Sequence, residues 1–189
     1  PELANRRQWI ILCAIMAFRI IVWNPMSLVK AGRQALIESE LHRVDVVMMP
    51  GTRIRQPLSG AAVTCSTRSS NFVLDWGYGL GRPHCNRSCG VRIMTRGDRW
   101  GRQQLVNTWS PPASLQDRGG ACRFKIPHSD FTMVCLYFPP RPTKAADNKQ
   151  YRSTVEAPVK WSKELVIRTR SCSSRSLVSI GCDLNDTLE

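Results

Sequence analysis

The chain has 189 residues, enough for one domain or a large part of a bigger one, and 42% of them are hydrophobic, which excludes wholesale disorder. Lys plus Arg number 27 against 14 Asp plus Glu, giving a net charge of +13, and 21 of those 27 are Arg. This balance favours polyanionic partners, nucleic acid first, because the planar guanidinium fork matches phosphate oxygens.

Taken in chain order, Arg6-Arg7 precede an apolar run from Trp9 to Phe18 that is too short to span a bilayer comfortably. Two readings stay open for it: a signal-peptide core, or an extension leading into a buried strand. Residues 1–17 are therefore an N-terminal extension, and a domain is expected over 18–189. Phe18 to Trp23 is β-branched and aromatic and predicts a strand that Asn24-Pro25 ends. Ser27 is placed to cap a helix over 28–41, and Val46 to Met49, bounded by Pro50-Gly51, predicts a second buried strand. Short candidate strands follow at 61–65, 71–74, 90–94, 104–106 and 121–126, separated by turn-rich pieces. Phe131 to Phe138 is the strongest strand signal. A helix is expected over 146–156, a second after Pro158, and a last strand over 177–180. The total is α+β, with many strands and few helices.

Eight cysteines permit four disulfides in a secreted chain. Cys13, Cys135 and Cys182 sit in apolar runs, however, where a free thiol behaves as a small buried hydrophobe. The expectation is free thiols in a reducing, intracellular setting, nucleus or cytoplasm, with no membrane association. His84, Cys85 and Cys89 lie within six residues, but no second ligand pair is near in sequence, so zinc is not expected.

The segment Gly181-Cys182-Asp183-Leu184-Asn185 carries the best chemical signal. On an extended segment, residues two apart point to one side, so Asp183 and Asn185 can aim a carboxylate and an amide together. Such a pair can orient a water and a phosphate oxygen, or it can simply make a turn. A second cluster, Arg82, Arg87, Arg92, Arg96, Arg99 and Arg102 with Trp100 among them, reads as a phosphate-and-base platform or as a solvated loop.

Order along the chain adds to this. Trp23-Asn24 ends an apolar strand; Asp45 to Arg53 follows a helix; Tyr137-Phe138-Pro139 ends another strand; Asp183-Leu184-Asn185 comes last. Together they resemble the endonuclease/exonuclease/phosphatase superfamily, which includes abasic-site endonucleases, DNase I and retrotransposon endonuclease domains. Trp23-Asn24 matches its first motif, Asp45, Thr52 and Arg53 its second, Tyr137 and Pro139 its third, and Asp183 and Asn185 its fourth, with Cys182 inserted after the Gly. The version with Gly-Thr-Arg and Tyr-Phe-Pro-Pro is most similar to the retroelement-type domains.

The resemblance implies a DNase I-like, four-layer α/β/β/α sandwich that is partial, its C-terminal strands missing. It implies a metal-dependent phosphodiesterase acting on nucleic acid, DNA before RNA. Asp183, Asn185, Tyr137 and Asn24 would be its catalytic residues. Asp183 and Asn185 would hold Mg²⁺ or Mn²⁺, and Arg53, Arg96, Arg99 and Arg102 would contact nucleic acid. Two departures count against activity: the family's metal-binding Glu falls at Gly51, and its closing Ser-Asp-His motif lies beyond Glu189. A degenerate or truncated enzyme is expected. The alternative is a non-catalytic nucleic-acid-binding remnant of a retroelement-type open reading frame.

Overall fold

Strands whose side chains alternate between two faces need an apolar layer on each face that is buried, and this chain supplies three such layers. The computed structural model describes residues 9–14, 17–29, 32–56, 63–66, 71–79, 89–98, 100–126, 129–138, 148–172 and 176–183. The strands are β1 (Trp9–Ala14), β2 (Ala17–Val22), β3 (Val46–Pro50), β4 (Arg55–Gln56), β5 (Val63–Ser66), β6 (Phe72–Trp76), β7 (Tyr78–Gly79), β8 (Val91–Thr95), β9 (Leu105–Trp109), β10 (Gly119–Ile126), β11 (Ser129–Tyr137) and β12 (Ser176–Asp183). The helices are α1 (Arg33–Glu40) and α2 (Asn148–Cys172). One sheet has six strands in the order β1-β2-β3-β8-β6-β5, a second has four in the order β12-β11-β10-β9, and β4 pairs with β7.

Between the two sheets, Ile20, Val46, Met48, Leu74, Trp76 and Ile93 from the first meet Phe124, Phe131, Met133 and Cys135 from the second. Outside the first sheet, Ile21, Val47, Met49, Val73 and Met94 pack on Ile37 of α1 and on Leu41 just after it. Outside the second, Ala121, Val134 and Leu136 pack on Trp161 and Leu165 of α2. The result is the expected four-layer α/β/β/α arrangement. β3, β6 and β8 are buried on both faces, which is why their apolar residues fill both phases rather than alternating, with Asp75 and Arg92 the charged interruptions in β6 and β8. The six-stranded sheet also reaches N-terminal of Phe18, since β1 pairs antiparallel with β2, Trp9 opposite Val22.

Both helices depart from the sequence reading. α1 begins at Arg33 after a left-handed Gly32, not at Leu28, and Ser27 does not cap it. The Leu28 N–H instead donates to the Thr52 carbonyl at 2.8 Å, tying this segment to the loop after β3. The second departure is α2, a single helix that runs through Pro158. Proline removes one helical hydrogen bond and crowds the preceding turn, at a cost of about 3 kcal/mol. Here Pro158, Trp161, Ser162, Leu165 and Thr169 make one buried stripe along α2. Burial of that stripe offsets the local penalty.

Among the described residues, no helix is long and apolar enough to cross a membrane. Cys89, Cys122, Cys135 and Cys182 are free thiols. His84 and Cys85 lie outside the described residues.

Candidate active site

Period-two alternation builds the site. On β2 the residues facing the other sheet are Ile20 and Val22, and the next in that phase is Asn24, just past the strand end. β12 runs parallel to β11 in register, so Asp183 lies beside Tyr137 and shares the inward face of Cys135 and Met133. Gly181, also inward, lets β12 come close: a Cβ there would lie 2.6 Å from Met48 Sδ and 2.9 Å from Val22 Cγ2. The two inward positions therefore meet across the sandwich, and Asn24 Nδ2 donates to Asp183 Oδ2 at 2.5 Å. The other end of the same amide is held too, since Asn24 Oδ1 accepts the Met26 N–H at 2.7 Å. A neutral donor on a carboxylate contributes about 1.5–3 kcal/mol, and here it clips the first sheet to the second.

Gly51 sits against this pair. Its φ is +76°, a left-handed conformation that disfavours any side chain, and a Cβ there would lie 2.8 Å from Asn24 Oδ1. The backbone is pinned in that shape, because the Gly51 and Thr52 N–H groups both donate to the Gly90 carbonyl, at 2.9 and 3.0 Å. Met26 (φ 53°), Ser27 (φ 146°) and Arg53 (φ 57°) also have positive φ. All three lie within a few residues of Asn24 or Gly51, and such strain is characteristic of functional sites. Arg53 is exposed on this rim.

The donor set around Asp183 does not fit a tightly held Mg²⁺ or Mn²⁺. Such ions want several oxygen ligands, carboxylates above all. Among the described residues one carboxylate stands here, already engaged by the Asn24 amide, and Gly51 offers no side chain. Among the described residues no three His, Cys, Asp or Glu side chains cluster to hold a metal. Nor does Cys182 offer a nucleophile near neutral pH: burial and then the Asp183 carboxylate push its thiol up.

The expected site residues divide by place. Asn24, Asp183, Tyr137 and Arg53 stand at one end of the sandwich. Tyr137 is 5% exposed, its ring in the inter-sheet core. Asn185, Arg82, Arg87 and Arg99 lie outside the described residues. Arg96 and Arg102 are at the opposite end: the Arg96 N–H donates to the carbonyl of Asp45, just before β3, and Arg102 precedes β9.

Two members of the expected arginine–aromatic platform are not on the surface. Trp100 is 5% exposed and packs edge-to-face on Phe124 and Phe131 between the sheets. Arg92 is 6% exposed and makes a two-point ion pair with Asp75, at 2.6 and 2.8 Å. That pair escaped the sequence reading. Its signal was Asp75 inside the apolar run Phe72-Val73-Leu74-Asp75-Trp76, a position that demands a buried partner.

No protein-family model matches the chain, and no curated protein sequence does. Solved structures do match. The AP endonuclease LMAP of Leishmania major superposes with a TM-score of 0.58 at 13% identity, over 86% of this chain and 54% of that one. The human Nocturnin catalytic domain gives 0.53 at 13% identity, over 96% and 68%. Danio rerio TDP2, solved with a single-strand DNA product, gives 0.52 at 13% identity, over 89% and 60%. The chain thus spans between 54% and 68% of these relatives' lengths. At such identities the likeness shows the fold alone: the chain has the DNase I-like sandwich that these solved structures share.

Proposed function

We propose that the chain is an endonuclease-type phosphodiesterase domain directed at nucleic acid, and that it is degenerate. The observation that carries the reading is the Asn24–Asp183 hydrogen bond, which fixes an amide and a carboxylate where the two sheets converge. In this reading Asp183 accepts a proton from the attacking water, and Asn24 holds the carboxylate in position. Asn185 contacts the phosphate, Tyr137, its ring buried between the sheets, reaches it only through its hydroxyl, and Arg53 neutralises the strand that crosses the rim. Asp183 and Asn185 would hold Mg²⁺ or Mn²⁺, and among the described residues Asp183 is the one carboxylate at this place, so cleavage should be slow. Losing a single electrostatic stabiliser typically lowers a rate by roughly 10²–10³.

A second reading, nucleic-acid binding without cleavage by a retroelement-type remnant, is favoured by Gly51, which carries no carboxylate and whose left-handed backbone beside Asn24 would strain a Glu placed there. Plasmid nicking with Mg²⁺ and with Mn²⁺ separates the two. The degenerate-enzyme reading expects marginal nicking that Asp183→Ala abolishes, with DNA binding retained. Robust nicking abolished by Asp183→Ala would overturn the degeneracy and keep the site. Nicking indifferent to Asp183→Ala would overturn the site itself. No nicking under any condition, with binding intact, supports the second reading.

A further inference from the structure

We propose a second nucleic-acid-binding surface at the pole of the sandwich opposite Asn24 and Asp183, built on Arg19, Arg43, Arg96, Arg102 and Lys125. The inference rests on the nucleic-acid reading above and adds to it a separate place of contact.

Asp45 organises this pole. Its carboxylate accepts the Arg19 N–H at 3.0 Å, its own N–H donates to the Arg19 carbonyl at 2.9 Å, and its carbonyl accepts the Arg96 N–H at 3.2 Å. The starts of β2 and β3 and the end of β8 are thereby gathered at one point. The four-stranded sheet arrives at the same pole, because the Lys125 N–H donates to the Gln104 carbonyl at 2.8 Å and the Leu105 N–H to that of Arg102 at 3.3 Å. Trp100, wedged among Phe18, Phe124 and Phe131, locks the intervening loop to both sheets. These hydrogen bonds and ring contacts hold the backbone that presents the cations.

Arg19, Arg43, Arg102 and Lys125 are exposed, and Arg96 is partly so, paired with Asp98 at 2.6 Å. The buried Asp45 and Asp130 add no surface charge, and Asp130 is already paired with Arg123. Among the described side chains here, Glu38 and Asp98 are the acids left against those five cations. Four of the five are arginines, whose forks suit phosphate oxygens. A cleft of about 330 Å³ lies to one side, lined by Arg96, His42 and Asn71 together with Glu38 and Asp98, so both acids sit at this edge and Arg19, Arg43, Arg102 and Lys125 lie outside it.

Distance makes the surface independent of the Asp183 site. Tyr137 and Asp130 lie at opposite ends of β11, seven steps apart, and at roughly 3.3 Å per residue that is about 23 Å. A phosphate held at Arg102 cannot also lie at Asp183. The protein thus engages either two segments of nucleic acid or one segment long enough to bend around it.

The test is duplex binding by fluorescence anisotropy across a salt series, together with the stoichiometry for an eight-nucleotide single strand. The parent protein is expected to take two such strands. Arg19→Ala/Arg102→Ala/Lys125→Ala is expected to take one, and to lower the slope of log K against log salt by about 2–3, close to 0.9 per lost phosphate contact. Arg102→Glu with Arg43→Ala is a second variant of the same pole, and circular dichroism checks that both remain folded. If pole variants leave slope and stoichiometry unchanged while Arg53→Ala reduces them, this inference falls and the reading of the Asp183 site stands. If the parent binds no nucleic acid, both fall. Preferential binding of the pole to phosphatidylserine vesicles over DNA also overturns it.

Discussion

A guanidinium buried on the outer face of a sheet costs several kcal/mol to desolvate unless a carboxylate meets it squarely. Asp75 does so for Arg92, directly opposite it on the neighbouring strand, and both are nearly inaccessible. Arg92→Ala would leave the Asp75 charge buried with its principal partner gone, and urea denaturation should show a loss of about 3–5 kcal/mol. Asp75→Leu combined with Arg92→Met should recover most of that loss, since apolar replacements of similar volume are often neutral. A double variant no better than the single one would mean that the pair is needed for more than charge balance. At this scale the sequence was legible where chemistry is local and opaque where it is not. Asn24 and Asp183 were picked out by motif, yet their contact spans 159 positions and only the folded sheets reveal it. Arg92 looked like its surface neighbours because nothing in its own surroundings names a partner seventeen residues away.

Among elements, the strands from 18 to 180 were readable apart from the short β4 and β7, β1 was not, and the helices were readable in place but not in their limits. β-branched and aromatic runs mark strands whatever lies around them, and every expected strand from 18 to 180 has a counterpart. Helix limits depend on tertiary contacts: Leu28 is held by the Thr52 carbonyl instead of starting α1, and α2 continues past Pro158 on the strength of its buried stripe. β12 shows the same dependence through one glycine. Gly181→Val should push β12 away from Val22 and Met48, cost about 1–3 kcal/mol, and separate Asp183 from Asn24. Denaturant titration reads the first effect, and the side-chain amide resonances of Asn24 read the second. Unchanged amide shifts would show that β12 approaches the first sheet without needing that gap.

For the whole molecule, the sandwich interior controls how stability depends on pH. Burial pushes the Cys122 and Cys135 thiols well up, and Cys182 follows to a lesser degree. A raised pKa means that the folded state keeps protons that the unfolded state releases. Stability is therefore full below the ordinary thiol value of 9.0 and falls above it. The slope is about 1.4 kcal/mol per pH unit for each buried thiol. Urea midpoints at pH 8 and pH 10 should differ in the parent and differ less in Cys122→Ala/Cys135→Ala, whereas equal differences would exclude the thiols as the cause. The four layers themselves were foreseeable from motif order, while the opposition of the two poles was not. Residues 53 and 96 look equally placed on paper, and antiparallel pairing of β3 with β8 sends them to opposite ends. Gly51 has one more consequence, for tolerance to change. Its left-handed turn is fixed by two hydrogen bonds to Gly90, and the Asn24 amide lies where a side chain would begin, so any larger residue at 51 strains the backbone and must displace that amide from Asp183.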